Sequence, residues 1–230
     1  MSETYQSEKN IYGKIIGINL KHNFWMPLGS AICILLLTVN LFNIASLQGN
    51  AVAQPIEFFL CFVGVMLLTP IFLPEQNQEI RDVIRSKKIS YLKICGIRVI
   101  YSVAALIVLE GIFVGIMYVS ESQVTVQHFI GGVATALFLG AIGLAVAGLS
   151  DNTVVGYMAA FIYYLANYGL KQKLGVFNLF SMCMGSFEEK WWQLAGGIVL
   201  IIVTFAIISR KSDIGRISSG RICFWTGSRT

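Results

Sequence analysis

The chain has 230 residues, of which 56% are hydrophobic and only 13% charged, and a formal net charge of +5. So little polar surface cannot wrap a soluble core of this length, which argues against an ordinary water-soluble enzyme or carrier and makes bilayer hydrocarbon the solvent. Continuous apolar blocks without strand-like alternation favour a bundle of helices over a barrel, the two ways of satisfying a backbone in lipid.

In chain order, the first patterned stretch is Ile11 to His22. Asn10, Lys14, Gly17 and Lys21 recur there at helical spacing, opposite Ile11, Tyr12, Ile15, Ile16 and Leu20. This reads as a helix lying in the cytoplasmic interface before Pro27 lets the chain turn into the membrane; a plain extension of the first span is the other reading. No cleavable signal is expected, because a long mixed stretch without a small-residue cleavage site precedes the first apolar block.

Six apolar blocks follow, at Trp25–Leu47, Ile56–Leu73, Ile94–Val119, Phe129–Leu149, Val154–Leu170 and Trp192–Ser209. Each approaches the ~20 residues a helix needs to cross a bilayer. The predicted fold is an all-α membrane protein: an interfacial segment over 1–24, a six-span domain over 25–209 and a basic tail over 210–230. With the N-terminus inside, 14 of the 17 basic residues fall in cytoplasmic segments, leaving only Lys171, Lys173 and Lys190 outside. That is the positive-inside pattern, with both termini cytoplasmic in a cell membrane. Topology and anionic lipid account for the net charge without nucleic acid.

The connector Glu75–Lys93, reading EQNQEIRDVIRSKKISYLK, begins after Pro74. It sets Ile80, Val83 and Ile84 at i, i+3 and i+4, with Glu79, Arg81, Asp82, Arg85 and Lys88 around the remaining faces. The pattern is a short charged helix with one apolar stripe, which fits both a solvated loop helix and a docking element.

Within the fifth block, Tyr157, Phe161, Tyr164 and Tyr168 form an aromatic stripe with Asn167 beside its outer end, and Phe58, Phe62 and Thr69 repeat the theme in the second. Such a stripe suits a path for apolar or amphipathic cargo and equally suits helix packing. Glu110 stands as the acid well inside a span, so it requires a partner: a substrate or proton-linked role is one reading. A place near the outer end of a long span, snorkelling or bonded to a neighbouring helix, is the other, supported by the following Gly111 and Gly115. Gly132, Ala136 and Gly140 make a small-residue strip of the kind that lets helices approach closely. The outer segment Lys171–Trp191 is too apolar for a free loop and too interrupted for a span, and an interfacial or re-entrant pair of short helices is expected there. The five cysteines do not pair within one oxidising compartment and the two histidines lie at opposite faces, so neither a disulfide nor a metal site is expected.

Taken together, the six blocks, the interfacial N-terminal helix, the connector PEQNQEIRDVIRSKKISYLK, the turn GLSDNTVVGYMAAFIYYL and the longer outer segment resemble the permease subunit of an ABC-2-type exporter. The resemblance covers most of Lys9–Lys211 and rests on type and spacing. It implies a bacterial plasma-membrane permease that pairs with a second permease, itself or a sister, and binds ATPase subunits carrying ATP and Mg. The positions matching the family's coupling helix are Glu79, Ile80, Arg81, Asp82, Val83, Ile84 and Arg85, and the family's short outer helices imply an exit gate before the last span. Independently, no GxxxxGK[ST] phosphate loop occurs in the chain, so ATP hydrolysis would belong to a separate polypeptide and the chain itself would bind no cofactor.

Two other classes remain in view. A non-catalytic membrane anchor or assembly factor would also carry a charged docking helix. An intramembrane enzyme would need convergent catalytic groups at membrane depth, where only Glu110 qualifies by position.

Overall fold

The computed structural model describes residues 24–76, 91–170 and 175–226, and beyond Arg210 only the course of the backbone. The interfacial N-terminal helix and the connector positions Glu79 to Arg85 lie outside the described residues. Among those described there is no strand; the elements are helices α1 (Trp25–Leu41), α2 (Gly49–Pro74), α3 (Tyr91–Val119), α4 (Val126–Ser150), α5 (Thr153–Leu170) and α6 (Glu188–Thr226).

Four stretches are long and apolar enough to cross a membrane: Gly49–Pro74, Ile94–Val119, Val126–Ser150 and Glu188–Arg210. Helix α1 has 17 residues, about 26 Å at 1.5 Å per residue, just short of a bilayer core. The apolar run after it does not continue the helix to Leu47 as the composition predicts. Instead Ser46 takes a left-handed φ of 55° and the loop is bonded sideways, Ser46 N–H to the Ser120 carbonyl at 2.9 Å and Gln123 N–H to the Leu47 carbonyl at 2.9 Å. Ile44 and Leu47 are apolar because they fold back onto the core, Ile44 being buried. These bonds tie the α1–α2 and α3–α4 loops together at one end of the bundle.

Helix α2 is not uniform. It opens with a 3-10 turn, passes Pro55, widens into a π turn over Ile56–Leu60 and tightens again from Thr69, where Pro70 and Pro74 interrupt the ladder. A π turn inserts an extra residue and re-aims the side chains beside it, and Glu57 lies in that turn.

Helix α4 is the central element, buried along most of its length, and its composition explains why. Gly131, Gly132, Ala134, Ala136, Gly140, Ala141, Gly143 and Ala147 let neighbours reach its backbone. Gly64 of α2 lies against the main chain of Ala136, and a Cβ on Gly156 of α5 would come 2.6 Å from the Gly143 carbonyl oxygen. Close packing of this kind is what associates helices in lipid, where the hydrophobic effect between them is absent. The strip Gly132, Ala136, Gly140 thus faces α2. Gly111 and Gly115 of α3 behave differently from the expectation: a Cβ on Gly111 meets only a Phe129 ring carbon at 3.8 Å, and one on Gly115 meets nothing within 4 Å. They mark no close helix contact.

The α4–α5 turn is made by Asp151, the left-handed residue ending α4 with φ 51°, and by Asn152, whose Oδ1 accepts the Val154 N–H at 2.9 Å. Asp and Asn tolerate that geometry and supply local acceptors, which is why SDNT closes a hairpin of helices in so few residues. Helix α6 continues past the membrane-length portion to Thr226, so the basic tail enters the structure as a helical extension.

Candidate functional site

The chemistry-bearing side chains gather where α2, α4, α5 and α6 meet the outer segment. Among its described residues, 175–187, this segment forms no α-helix. Residues 175–177 and Met182–Met184 form single 3-10 turns, with Asn178, Leu179, Phe180, Ser181 and Met182 buried between them and α6 starting already at Glu188. A buried irregular backbone in a membrane protein needs a partner for every polar group, and polar side chains from the surrounding helices supply them.

Glu57 is the anchor. Its Oε1 accepts the Met182 N–H and its Oε2 the Cys183 N–H, both at 2.9 Å, while Oε1 also lies 2.7 Å from Lys190 Nζ. Lys190 donates further to the Leu179 carbonyl at 2.7 Å and to Thr135 Oγ1 at 2.8 Å. Gln193, one turn along α6, donates Nε2 to the Asn178 carbonyl at 2.6 Å, and Asn167 Oδ1 accepts the Leu179 N–H at 3.0 Å. Glu57 is fully buried and Lys190 almost so. A pair of this kind contributes little net stability over an apolar replacement, but removing one partner costs about 3–5 kcal/mol because the other charge is stranded. Gly131 completes the seat: a Cβ there would collide with Met182 Sδ and stand 3.4 Å from Lys190 Cγ. Beside Glu57, burial and then the carboxylate's charge push the Cys183 thiol up, so it stays a thiol and a poor nucleophile.

Beneath the segment lie the aromatic residues of the second and fifth apolar blocks. Phe58 stacks on Phe180 with centroids 4.8 Å apart, Phe62 sits 4.6 Å from Tyr164 and 5.8 Å from Phe161, and Tyr164 and Tyr168 both meet Phe180 edge-on. Tyr164 donates its hydroxyl to the Phe58 carbonyl at 3.0 Å. Tyr157 joins the same cluster, while Phe161 and Tyr168 keep more than half of their surface exposed. Of the sequence-predicted path residues, Phe58, Phe62, Tyr157, Phe161, Tyr164, Asn167 and Tyr168 come together. Thr69 does not: it is buried at the other end of α2, where its Oγ1 fills the space beside Gly143 and has no hydrogen-bond partner among the described residues.

Glu110 is buried between α3, α2 and α4, and neither of its oxygens has a hydrogen-bond partner among the described residues. The bond to a neighbouring helix expected from the sequence is therefore not formed. Nor is Glu110 the single acid within a span, since Glu57 is equally buried. Lys190, predicted in an outer loop, points into the bundle. One signal for Lys190 stood in the sequence: EEKWWQLAGG places Lys190, Gln193 and Gly197 at i, i+3 and i+7, one polar-to-small face that a lipid-exposed helix has no use for. At the opposite end, Arg98 Nη1 donates to the Ile71 carbonyl at 2.9 Å, serving a carbonyl in the proline-broken end of α2.

No protein-family model, characterised protein or solved structure matches the chain.

Proposed function

We propose that the chain is a six-span permease subunit of an ATP-driven exporter, similar to the ABC-2 type, which moves a hydrophobic or amphipathic substrate outward with energy from a separate ATPase. In this reading α1 and α5 complete the span count, at 17 and 18 residues, and both ends of the chain are cytoplasmic. The observation that carries it is the construction of the outer end. An irregular, apolar segment is held across the bundle by side-chain bonds rather than by a helix of its own, directly over a cluster of aromatic rings on α2 and α5. A path for apolar cargo gives a reason for an aromatic surface beneath such a segment, which an anchor does not need. A peptide is the cargo this surface suits best, since rings supply area and the Tyr hydroxyls adaptable bonding.

On this reading hydrolysis belongs to a separate chain, in keeping with a sequence that carries no GxxxxGK[ST] phosphate loop, and the connector stripe Ile80, Val83, Ile84 with its charged flanks is the docking element. Purification of the full chain from its native membrane should bring down an ATPase with a phosphate loop, and Ile84→Asp or Arg81→Glu with Arg85→Glu should release it while the protein remains inserted. Retention of the ATPase in these variants removes the docking role. Failure of any ATPase to accompany the wild type favours an anchor or assembly factor.

A further inference from the structure

Glu110 takes no part in the network around Glu57. It shares the buried face of α3 with Leu106 and Phe113, all three fully buried, and both carboxyl oxygens lack a partner among the described residues. Its seat is specific: a Cβ on Gly132 of α4 would lie 2.9 Å from Oε2 and 2.7 Å from Ile56 Cγ2, so the carboxyl occupies space that only glycine leaves open. Nine residues separate it from the end of α3, roughly 14 Å along the helix, which puts it well below the surface.

Something must complete this group, and its surroundings select what. A metal ion needs several further oxygen or nitrogen donors, and no cluster of three His, Cys, Asp or Glu side chains occurs among the described residues. An ammonium ligand brings three donors and would need more acceptors than one carboxyl. A proton needs a single oxygen and removes the charge. We propose that Glu110 is a proton-binding site within the membrane, holding a proton while α3 is packed on Gly132 and releasing it when these helices separate and water enters.

The titratable groups on the packed elements leave it that role. Cys61 of α2 lies within electrostatic reach of it, and Glu57, one turn before Cys61, is paired with Lys190 of α6. On α4, His128 lies one turn from Gly132, with its Nδ1 accepting the Thr125 N–H at 3.2 Å. The described part of α1 carries no charged residue. Arg98, on α3 itself, is about three turns away.

The inference is independent of transport and is tested on the purified full chain in lipid nanodiscs. Infrared difference spectra between wild type and E110Q should show, at neutral pH, the carbonyl band of a protonated carboxylic acid that the variant lacks, and this band should fade as the pH is raised. E110D should shift the band, which assigns it even if E110Q folds poorly. In parallel, the folded-to-unfolded ratio of the wild type should fall by up to about tenfold per pH unit from the ordinary carboxylate range up to that transition and level off above it, a slope that E110Q abolishes. Absence of an E110-dependent acid band at neutral pH, or identical pH slopes in wild type and E110Q, overturns the proposal.

Discussion

Replacing Lys190 by Met keeps an unbranched apolar stem, one heavy atom shorter, and removes the charge and its donors. Glu57 would then remain fully buried, with the N–H groups of Met182 and Cys183 as its bonds, and the Leu179 carbonyl would lose its donor. Stranding one partner of a buried pair costs about 3–5 kcal/mol. On the scale of soluble domains of this size, that is a fall in Tm of roughly 6–20 °C. Glu57→Gln should be comparably damaging, because its amide would turn a donor toward one of the two backbone N–H groups while Lys190 keeps its charge. The double variant carries neither charge, so it should recover roughly 2 kcal/mol relative to the sum of the singles, within the coupling range for residues in contact. Thermal and equilibrium unfolding of the four proteins in detergent measure all the terms. A Lys190→Met protein within about 0.5 kcal/mol of wild type, with a strictly additive double, would refute the burial and pairing argued here.

Other outcomes follow from the packing. Gly64→Ala should strongly destabilise the fold or prevent assembly, since the methyl meets the Ala136 main chain, whereas Gly115→Ala should stay within about 0.5 kcal/mol, as unfolding in detergent will show. Tyr164→Phe should cost about 1 kcal/mol through the lost bond to the Phe58 carbonyl. Phe161→Ala removes a half-exposed ring, so it should lose less stability than Phe62→Ala; on the proposed function it should also alter cargo binding, measured beside stability in the same variants.

How far the sequence could be read follows from which forces it displays. Long apolar blocks are a local property, so α3, α4 and α5 fall within a few residues of their predicted bounds. The end of α1 was misplaced because Phe42, Ile44 and Leu47 are apolar for a tertiary reason: they fold back on the core. The strip Gly132, Ala136, Gly140 was legible because small residues at four-residue spacing have few other uses in lipid; Gly111 and Gly115 carried no such contact, which shows that spacing alone does not choose the partner. The aromatic gathering was visible as a stripe. Glu57 and Lys190 were hidden in different ways, one at the edge of an apolar block beside Pro55 and the other among charged loop-like residues, and only the π turn and the fold of the outer segment bring them together.

The claim on which the account most depends is that all six helices cross the membrane with both ends of the chain inside. Single cysteines in a cysteine-free background, treated on intact cells with a membrane-impermeant thiol reagent, test it directly. Cysteine at Gln123 or Val176 should be labelled from outside, and cysteine at Ser86 or Ser219 should react only after the membrane is opened. Labelling of Ser86 or Ser219 in intact cells, or protection of both Gln123 and Val176, would contradict it.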